Sequence, residues 1–71
     1  MKIKTLIKMA NSIGDFFNAD SDKELAANGV KNHITRTWEP RMRKELIAYY
    51  HQDGSELSEL VKTAVSGLES V

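Results

Sequence analysis

The chain contains no cysteine, a single proline and no long apolar run. Without cysteine it can form neither a disulfide nor a thiolate metal site, so hydrophobic packing or a partner must supply its stability. No stretch approaches the roughly 18 consecutive apolar residues that a membrane-spanning helix requires. Residues 1–5, MKIKT, place charges among the apolar residues and lack the apolar core of a signal peptide. We therefore expect a cytoplasmic location.

Net charge and catalytic motifs are lacking as well. Ten Lys and Arg residues balance ten Asp and Glu residues, so the chain as a whole has no basic bias toward nucleic acid. The four glycines stand apart from one another and form no phosphate-binding loop. His33 and His51 are far apart, and without cysteine they form neither a metal-ligand pair nor a nucleophile–base pair. We therefore expect no enzymatic activity and no metal or cofactor bound by this chain.

Apolar residues recur at spacings of three and four along the chain, which is the pattern of amphipathic helices. The pattern predicts four short helices, at about 3–17, 21–38, 40–51 and 55–69, and no strand. The expected fold class is all-α, a small helical bundle that forms a single domain over residues 1–71. The end after about residue 68 is expected to fray.

Three local signals predict the helix boundaries. Ser21 and Glu24 match a capping box, in which each side chain bonds the backbone N–H of the other residue. Pro40 suits the first turn of a helix, so the second helix should end near Trp38 and the third should begin at Pro40. Ser55 follows the turn sequence HQDG and can cap the fourth helix.

The first predicted helix has a wide apolar arc. The arc extends through Met9 and Phe16 to about half of the circumference, whereas one packing contact requires a stripe of roughly 100°. We therefore expect this helix to touch neighbours on two sides. Asn11 and Gly14 lie on or beside the arc, and two arrangements are open. Either the helices cross closely at Gly14 with Asn11 bonded inside the domain, or Asn11 faces a partner protein.

The second predicted helix has a weaker apolar stripe. Thr37 lies in the middle of this stripe, where a larger apolar side chain would be unremarkable, and His33 lies at its edge. We interpret His33 as a hydrogen-bonded, partly buried structural histidine. The stripe consists of Ala26, Val30, His33, Ile34, Thr37 and Trp38.

Residues 38–43, WEPRMR, join the only tryptophan and the only proline to two arginines. Arg41 has i,i+4 spacing to Glu45, which is typical of an exposed ion pair. Arg43 lies inside the apolar arc of the third helix, so its head must reach water or an acceptor. That acceptor is either internal, for example Glu39, or part of another chain. Trp38 either fills this corner or contacts a partner.

Two kinds of binding are compatible with this corner. A helix–turn–helix unit with basic residues could bind nucleic acid, but zero net charge and the glutamates within the basic cluster weaken that interpretation. Protein binding suits the same residues better, because Trp and Arg are enriched in interface hot spots and the first helix has apolar surface to spare. The basic residues around Trp38 are Arg36, Arg41, Arg43 and Lys44.

Two segments carry a family resemblance: residues 9–17, MANSIGDFF, and residues 33–43, HITRTWEPRMR. They resemble the small delta subunit of the soluble, NAD-dependent, molybdenum-containing formate dehydrogenases. The pattern of that family is Met-Ala-Asn-x-Ile-x-x-Phe-Phe, followed by a histidine and then by Trp-x-Pro-Arg-Met-Arg. The likeness spans most of the first 47 residues. The chain departs from the pattern at Thr37, where relatives tend to carry a bulky residue, and in the linker 18–22, which lacks a common proline.

The resemblance implies a non-catalytic accessory subunit that binds the large catalytic alpha subunit and supports assembly or stability of the complex. It also implies that molybdenum cofactor, iron–sulfur clusters, flavin and NAD are held by the partner subunits and not by this chain. A general protein-interaction adaptor and a nucleic-acid-binding module are the alternatives. The residues expected to contact the partner are Trp38, Arg41, Met42, Arg43, Asn11, Phe16 and Phe17.

Overall fold

The computed structural model describes residues 2–68, which form four α-helices. In chain order these are α1 (Ile3–Phe17), α2 (Lys23–Thr37), α3 (Pro40–Gln52) and α4 (Glu59–Leu68). No strand occurs within residues 2–68. The predicted all-α bundle of four short helices is thus confirmed. The expected fraying after residue 68, and the last predicted residue of the fourth helix, lie outside the described residues.

Helices α1 and α4 each contact all three other helices. This arrangement confirms that the wide apolar arc of α1 has more than one neighbour. A single core fills the space between the four helices. Its buried residues are Leu6, Ile7, Ala10, Val30, Ile34, Trp38, Leu46, Leu57, Val61, Ala64, Val65 and Leu68.

Helices α1 and α4 cross closely at Gly14, as one of the two arrangements predicted. A Cβ atom at Gly14 would lie 2.7 Å from Cγ2 of Val61, a distance that real Cβ atoms do not adopt. Val61 is completely buried. The missing side chain at Gly14 is therefore what lets the two helices approach.

The capping box predicted at Ser21 and Glu24 is wrong, because the N-cap of α2 is Asp22. Oδ1 of Asp22 accepts hydrogen bonds from the backbone N–H groups of Glu24 at 3.1 Å and Leu25 at 3.2 Å. A carboxylate at this position satisfies two orphan donors and also interacts favourably with the positive end of the helix dipole. Helix α2 consequently begins at Lys23, two residues later than predicted.

The fourth helix begins at Glu59 and not at Ser55. Oγ of Ser55 donates to the carboxylate of Asp53 in the turn that precedes the helix. Oγ of Ser58 accepts from the backbone N–H of Val61 at 3.4 Å, so Ser58 takes the capping role predicted for Ser55. The turn includes Gly54 at φ 70°, a left-handed conformation that favours glycine.

Asn11 fastens this turn to α1. Its Nδ2 donates to the carbonyl oxygen of Glu56 at 2.9 Å, and its Oδ1 accepts from the backbone N–H of Ser58 at 3.0 Å. Both polar atoms of the amide are therefore used inside the domain. The bonds join residues that are 45 and 47 positions apart in the chain. Asn11 thus holds the start of α4 at the position from which Val61 meets Gly14.

Candidate protein-docking groove

The corner between α2 and α3 is closed by Arg43. Nη1 of Arg43 donates to the carbonyl oxygen of Trp38 at 2.6 Å and to that of Thr35 at 3.3 Å. These carbonyls belong to the end of α2, where a helix leaves its last C=O groups without an intrahelical partner. The acceptor of Arg43 is therefore internal, but it is the backbone of α2 and not the predicted side chain of Glu39.

Trp38 fills this corner. Its side chain is 5% exposed and belongs to the core together with Ile34 and Leu46. Of the two roles considered for Trp38, the structure shows the packing role, while the edge of the side chain also lines a surface groove. Unlike Trp38 and Arg43, Arg41 is exposed. Within residues 2–68, no ion pair joins Arg41 to Glu45, so the predicted i,i+4 pair does not form.

A groove of about 560 Å³ runs between α1, α2 and the start of α3. It continues into a second depression of about 320 Å³, with which it shares Ser12, Ile13 and His33. We call the two together the α1–α2 groove. Its α1 wall is formed by Thr5, Lys8, Met9, Ser12, Ile13 and Phe16.

The opposite wall of the α1–α2 groove comes from α2 and α3. His33 lies at its centre, Thr37 and the edge of Trp38 lie toward α3, and Met42 closes that end. Thr37 is exposed to the groove instead of lying in the core stripe, and its Oγ1 donates to the carbonyl oxygen of His33 at 2.8 Å. A threonine thus suits this position, because its hydroxyl is hydrogen-bonded to its own helix and adds no unpaired polar group to the groove.

Phe16 and Phe17 form the far end of the groove. Phe16 is 77% exposed, the largest exposure of any large apolar side chain in residues 2–68. Its ring meets the edge of Phe17 with centroids 5.2 Å apart. Phe17 in turn lies over α2 at Gly29, where a Cβ atom would be 2.5 Å from Cδ1 of the ring. The two rings therefore make an aromatic ledge, in which Phe17 lies against α2 and Phe16 is presented to solvent.

His33 is half-buried beneath this ledge, as predicted. Its ring lies 6.3 Å from that of Phe17, centroid to centroid, in an edge-on arrangement. The hydrogen bond predicted for the His33 side chain is not found with any of residues 2–68. The contact is aromatic instead, because the ring faces the apolar groove and not a backbone carbonyl.

Positive charge is concentrated beside the groove. Lys8 lines it on α1, and Arg36 lines an adjoining depression that also includes Phe17 and His33. No carboxylate is among the described residues that line these three depressions. Because the chain has zero net charge, its acidic groups lie elsewhere, for example at Glu56 and Glu59 near the start of α4.

The structure brings four of the seven predicted contact residues together along the groove: Trp38, Met42, Phe16 and Phe17. The other three do not line it: the side chains of Asn11 and Arg43 hold the fold together, and Arg41 is exposed outside the groove. Sequence reasoning missed Lys8, Met9, Ile13 and His33 as groove residues. The width of the apolar arc of α1 could have indicated Met9 and Ile13, which are only partly buried against the core, but it carries no information on His33, which lies on α2.

The described residues offer no metal site. Within residues 2–68 no three His, Asp or Glu side chains are grouped closely enough to hold a metal ion, and the chain has no cysteine. None of the buried side-chain polar atoms in that range lacks a hydrogen-bond partner. No helix among the described residues is long and apolar enough to cross a membrane. The chemistry that the groove provides is apolar contact with a basic margin.

Comparison of the chain with curated proteins and with solved structures finds no match. The model of one protein family does match, over residues 5–65. The matched region includes the whole α1–α2 groove and the corner that Arg43 closes. The family is described as the NADH-dependent formate dehydrogenase delta subunit FdsD. Since this match covers most of the 71 residues, the chain belongs to the family of formate dehydrogenase delta subunits.

Proposed function

We propose that this chain is a non-catalytic accessory subunit that binds the large catalytic subunit of a formate dehydrogenase and supports assembly or stability of the complex. The observation that carries the proposal is the match to the delta-subunit family over residues 5–65. Exposed apolar surface supports it, because Phe16 projects 77% into solvent beside an apolar groove. An exposed aromatic side chain at a groove is typical of a surface that a partner covers.

The side chains of the chain itself favour an accessory role. The motif residues that could suggest chemistry, Arg43 and His33, are used for a helix end and an aromatic contact. The molybdenum cofactor, iron–sulfur clusters, flavin and NAD of the complex are, in this proposal, held by the larger subunits. The delta subunit contributes binding free energy, which stabilises whichever folded state of the catalytic subunit it recognises.

Binding should also stabilise the delta subunit itself. A chain of 71 residues without disulfides has a small core, and burying Phe16 and the α1–α2 groove against a partner adds to the stability of the bundle. Accessory subunit and catalytic subunit should therefore protect each other from unfolding. The effect grows with affinity, so it is larger for a tightly bound assembly subunit than for a transiently bound adaptor.

Co-expression tests the proposal. The larger formate dehydrogenase subunits are produced with the tagged chain and without it, and the complex is isolated by size. We expect the catalytic subunit to co-purify with the tag, and we expect omission of the chain to lower the amount of assembled complex. Recovery of the chain free of every formate dehydrogenase subunit, with the complex assembling equally well in its absence, would overturn the proposal. A gel shift with mixed DNA and RNA at low salt checks the nucleic-acid alternative.

A further inference from the structure

We propose that the α1–α2 groove receives an amphipathic helix of the larger subunit, with its apolar face in the groove and carboxylates along its flanks. This inference rests on the proposed function and adds the surface used and the chemistry of the segment bound. The shape of the groove, the nature of its walls and the distribution of charge around it each support it.

The walls of the groove favour a helix over an extended peptide. Both walls are helices, and no strand occurs within residues 2–68. An extended peptide gains much of its affinity by pairing its backbone with a sheet edge, which this bundle does not offer. A helix satisfies its own backbone hydrogen bonds and binds through its side chains, so it needs no sheet edge.

The length of the groove fits about three helical turns. It follows α1 from Thr5 to Phe16, a distance of about 17 Å at the usual rise of about 1.5 Å per residue. A bound helix of about 11 residues therefore spans it from end to end. Apolar side chains spaced three and four apart on that helix would reach Met9, Ile13 and the exposed ring of Phe16 in turn.

The positive charges beside the groove favour acidic residues on both flanks of the bound helix. Lys8 lies on the α1 side and Arg36 lies on the α2 side, beyond His33. Since no carboxylate lines the groove among the described residues, a basic segment would meet like charge on both flanks. Aspartate or glutamate on each flank meets the opposite charge, which gives orientation as well as attraction.

Photochemical cross-linking in the assembled complex tests which segment lies in the groove. A photoreactive amino acid replaces Ser12, which is exposed and lines the groove. The control replaces Ser66, which is exposed on α4 and lies outside the groove. We expect position 12 to attach to a segment of a formate dehydrogenase subunit that has apolar residues at helical spacing flanked by carboxylates, and we expect position 66 not to attach to it.

Charge reversal gives a second measurement. Lys8→Glu with Arg36→Glu should weaken binding to the larger subunit by about tenfold or more, because like charges then face each other across the interface. Lys44→Glu with Lys62→Glu makes the same change in net charge away from the groove and should leave binding within about twofold. Circular dichroism of both double variants establishes that each keeps its helices before binding is compared.

The outcomes separate this inference from the proposed function. If the larger subunit co-purifies but cross-links only from position 66, or if both charge-reversed variants bind equally well, the groove is not the interface and the function stands. If position 12 attaches only to a second copy of this chain, the groove is a dimer surface and the inference is overturned. If no formate dehydrogenase subunit co-purifies with the unaltered chain, the proposed function fails and the inference fails with it.

Discussion

Nη1 of Arg43 donates to the carbonyl oxygen of Trp38 at 2.6 Å, so the third helix supplies the cap for the end of the second. The same nitrogen lies 3.3 Å from the carbonyl oxygen of Thr35. A positive charge at a helix C-terminus is favourable, because the unpaired carbonyls there carry partial negative charge. The tight turn at Pro40 makes this geometry possible by bringing the first turn of α3 beside the last turn of α2.

Replacing the capping arginine should destabilise the domain. In Arg43→Ala the carbonyl groups of Thr35 and Trp38 lose a charged donor, and hydrogen bonds to charged groups are worth about 1.5–3 kcal/mol. We expect a loss of that order in the free energy of unfolding, measured by urea denaturation followed by circular dichroism. Arg41→Ala is the matched control, since Arg41 is exposed, and should change the value by less than about 0.5 kcal/mol. Equal effects of the two substitutions would show that the cap contributes little.

Asn11 is expected to stabilise the folded domain by holding the turn before α4. Asn11→Ala removes both the donor to the Glu56 carbonyl and the acceptor of the Ser58 N–H, which should lower the free energy of unfolding by about 1–3 kcal/mol. Hydrogen exchange should speed up at residues 54–58 more than in α2. Ser12→Ala, on the exposed side of the same helix, serves as the control. Unchanged exchange in the turn of the Asn11→Ala variant would contradict this role.

One substitution, glycine to alanine, should have opposite effects at two helical sites. Gly14→Ala places a methyl group 2.7 Å from Cγ2 of the stiff, buried Val61, and such overpacking costs about 1–3 kcal/mol. At Gly67 the nearest atom is Cδ of Lys31 at 3.2 Å, on a long side chain that can move aside. Gly67→Ala should therefore stabilise the helix by up to about 1 kcal/mol. The urea concentration at the unfolding midpoint should therefore fall in Gly14→Ala and rise in Gly67→Ala.

A double variant tests whether the cost of Gly14→Ala comes from the clash with Val61. Val61→Ala removes the methyl group that Gly14→Ala would strike, so the two substitutions together should cost less than the sum of the separate costs. A coupling free energy near zero would mean that the helices move apart without resistance at this crossing.

The single tryptophan should report on the core. Trp38 is 5% exposed, so its fluorescence is expected at short wavelength in the folded chain and should shift to longer wavelength in urea. Trp38→Ala leaves a large cavity that costs about 3–5 kcal/mol, which is comparable to the whole stability that a small core supplies. The helical circular dichroism should therefore be lost. Trp38→Phe should retain it, and full helicity in Trp38→Ala would contradict the core placement.

The helices and the corner at Pro40 were predictable because they depend on near neighbours. Apolar spacing, a proline at the first turn and a polar residue before each helix act within about one turn of the chain. Even so, two caps were assigned to the wrong residue. Ser21 and Asp22 are adjacent, and both can cap a helix, so local sequence alone does not choose between them. Ser58 caps α4 in place of Ser55 because Asn11, far away in the chain, accepts a hydrogen bond from the backbone N–H of Ser58.

The sequence by itself determined a four-helix bundle, a tight corner at residues 38–43 and a likeness to delta subunits. Only the tertiary structure decided which side chains of that corner serve the fold and which face the surface. Arg43 is used internally because the last carbonyls of α2 come within its reach. Phe16 and Met42 border a groove because no further helix among residues 2–68 covers the outer arc of α1. Periodicity shows that a face is apolar. Packing decides what covers it.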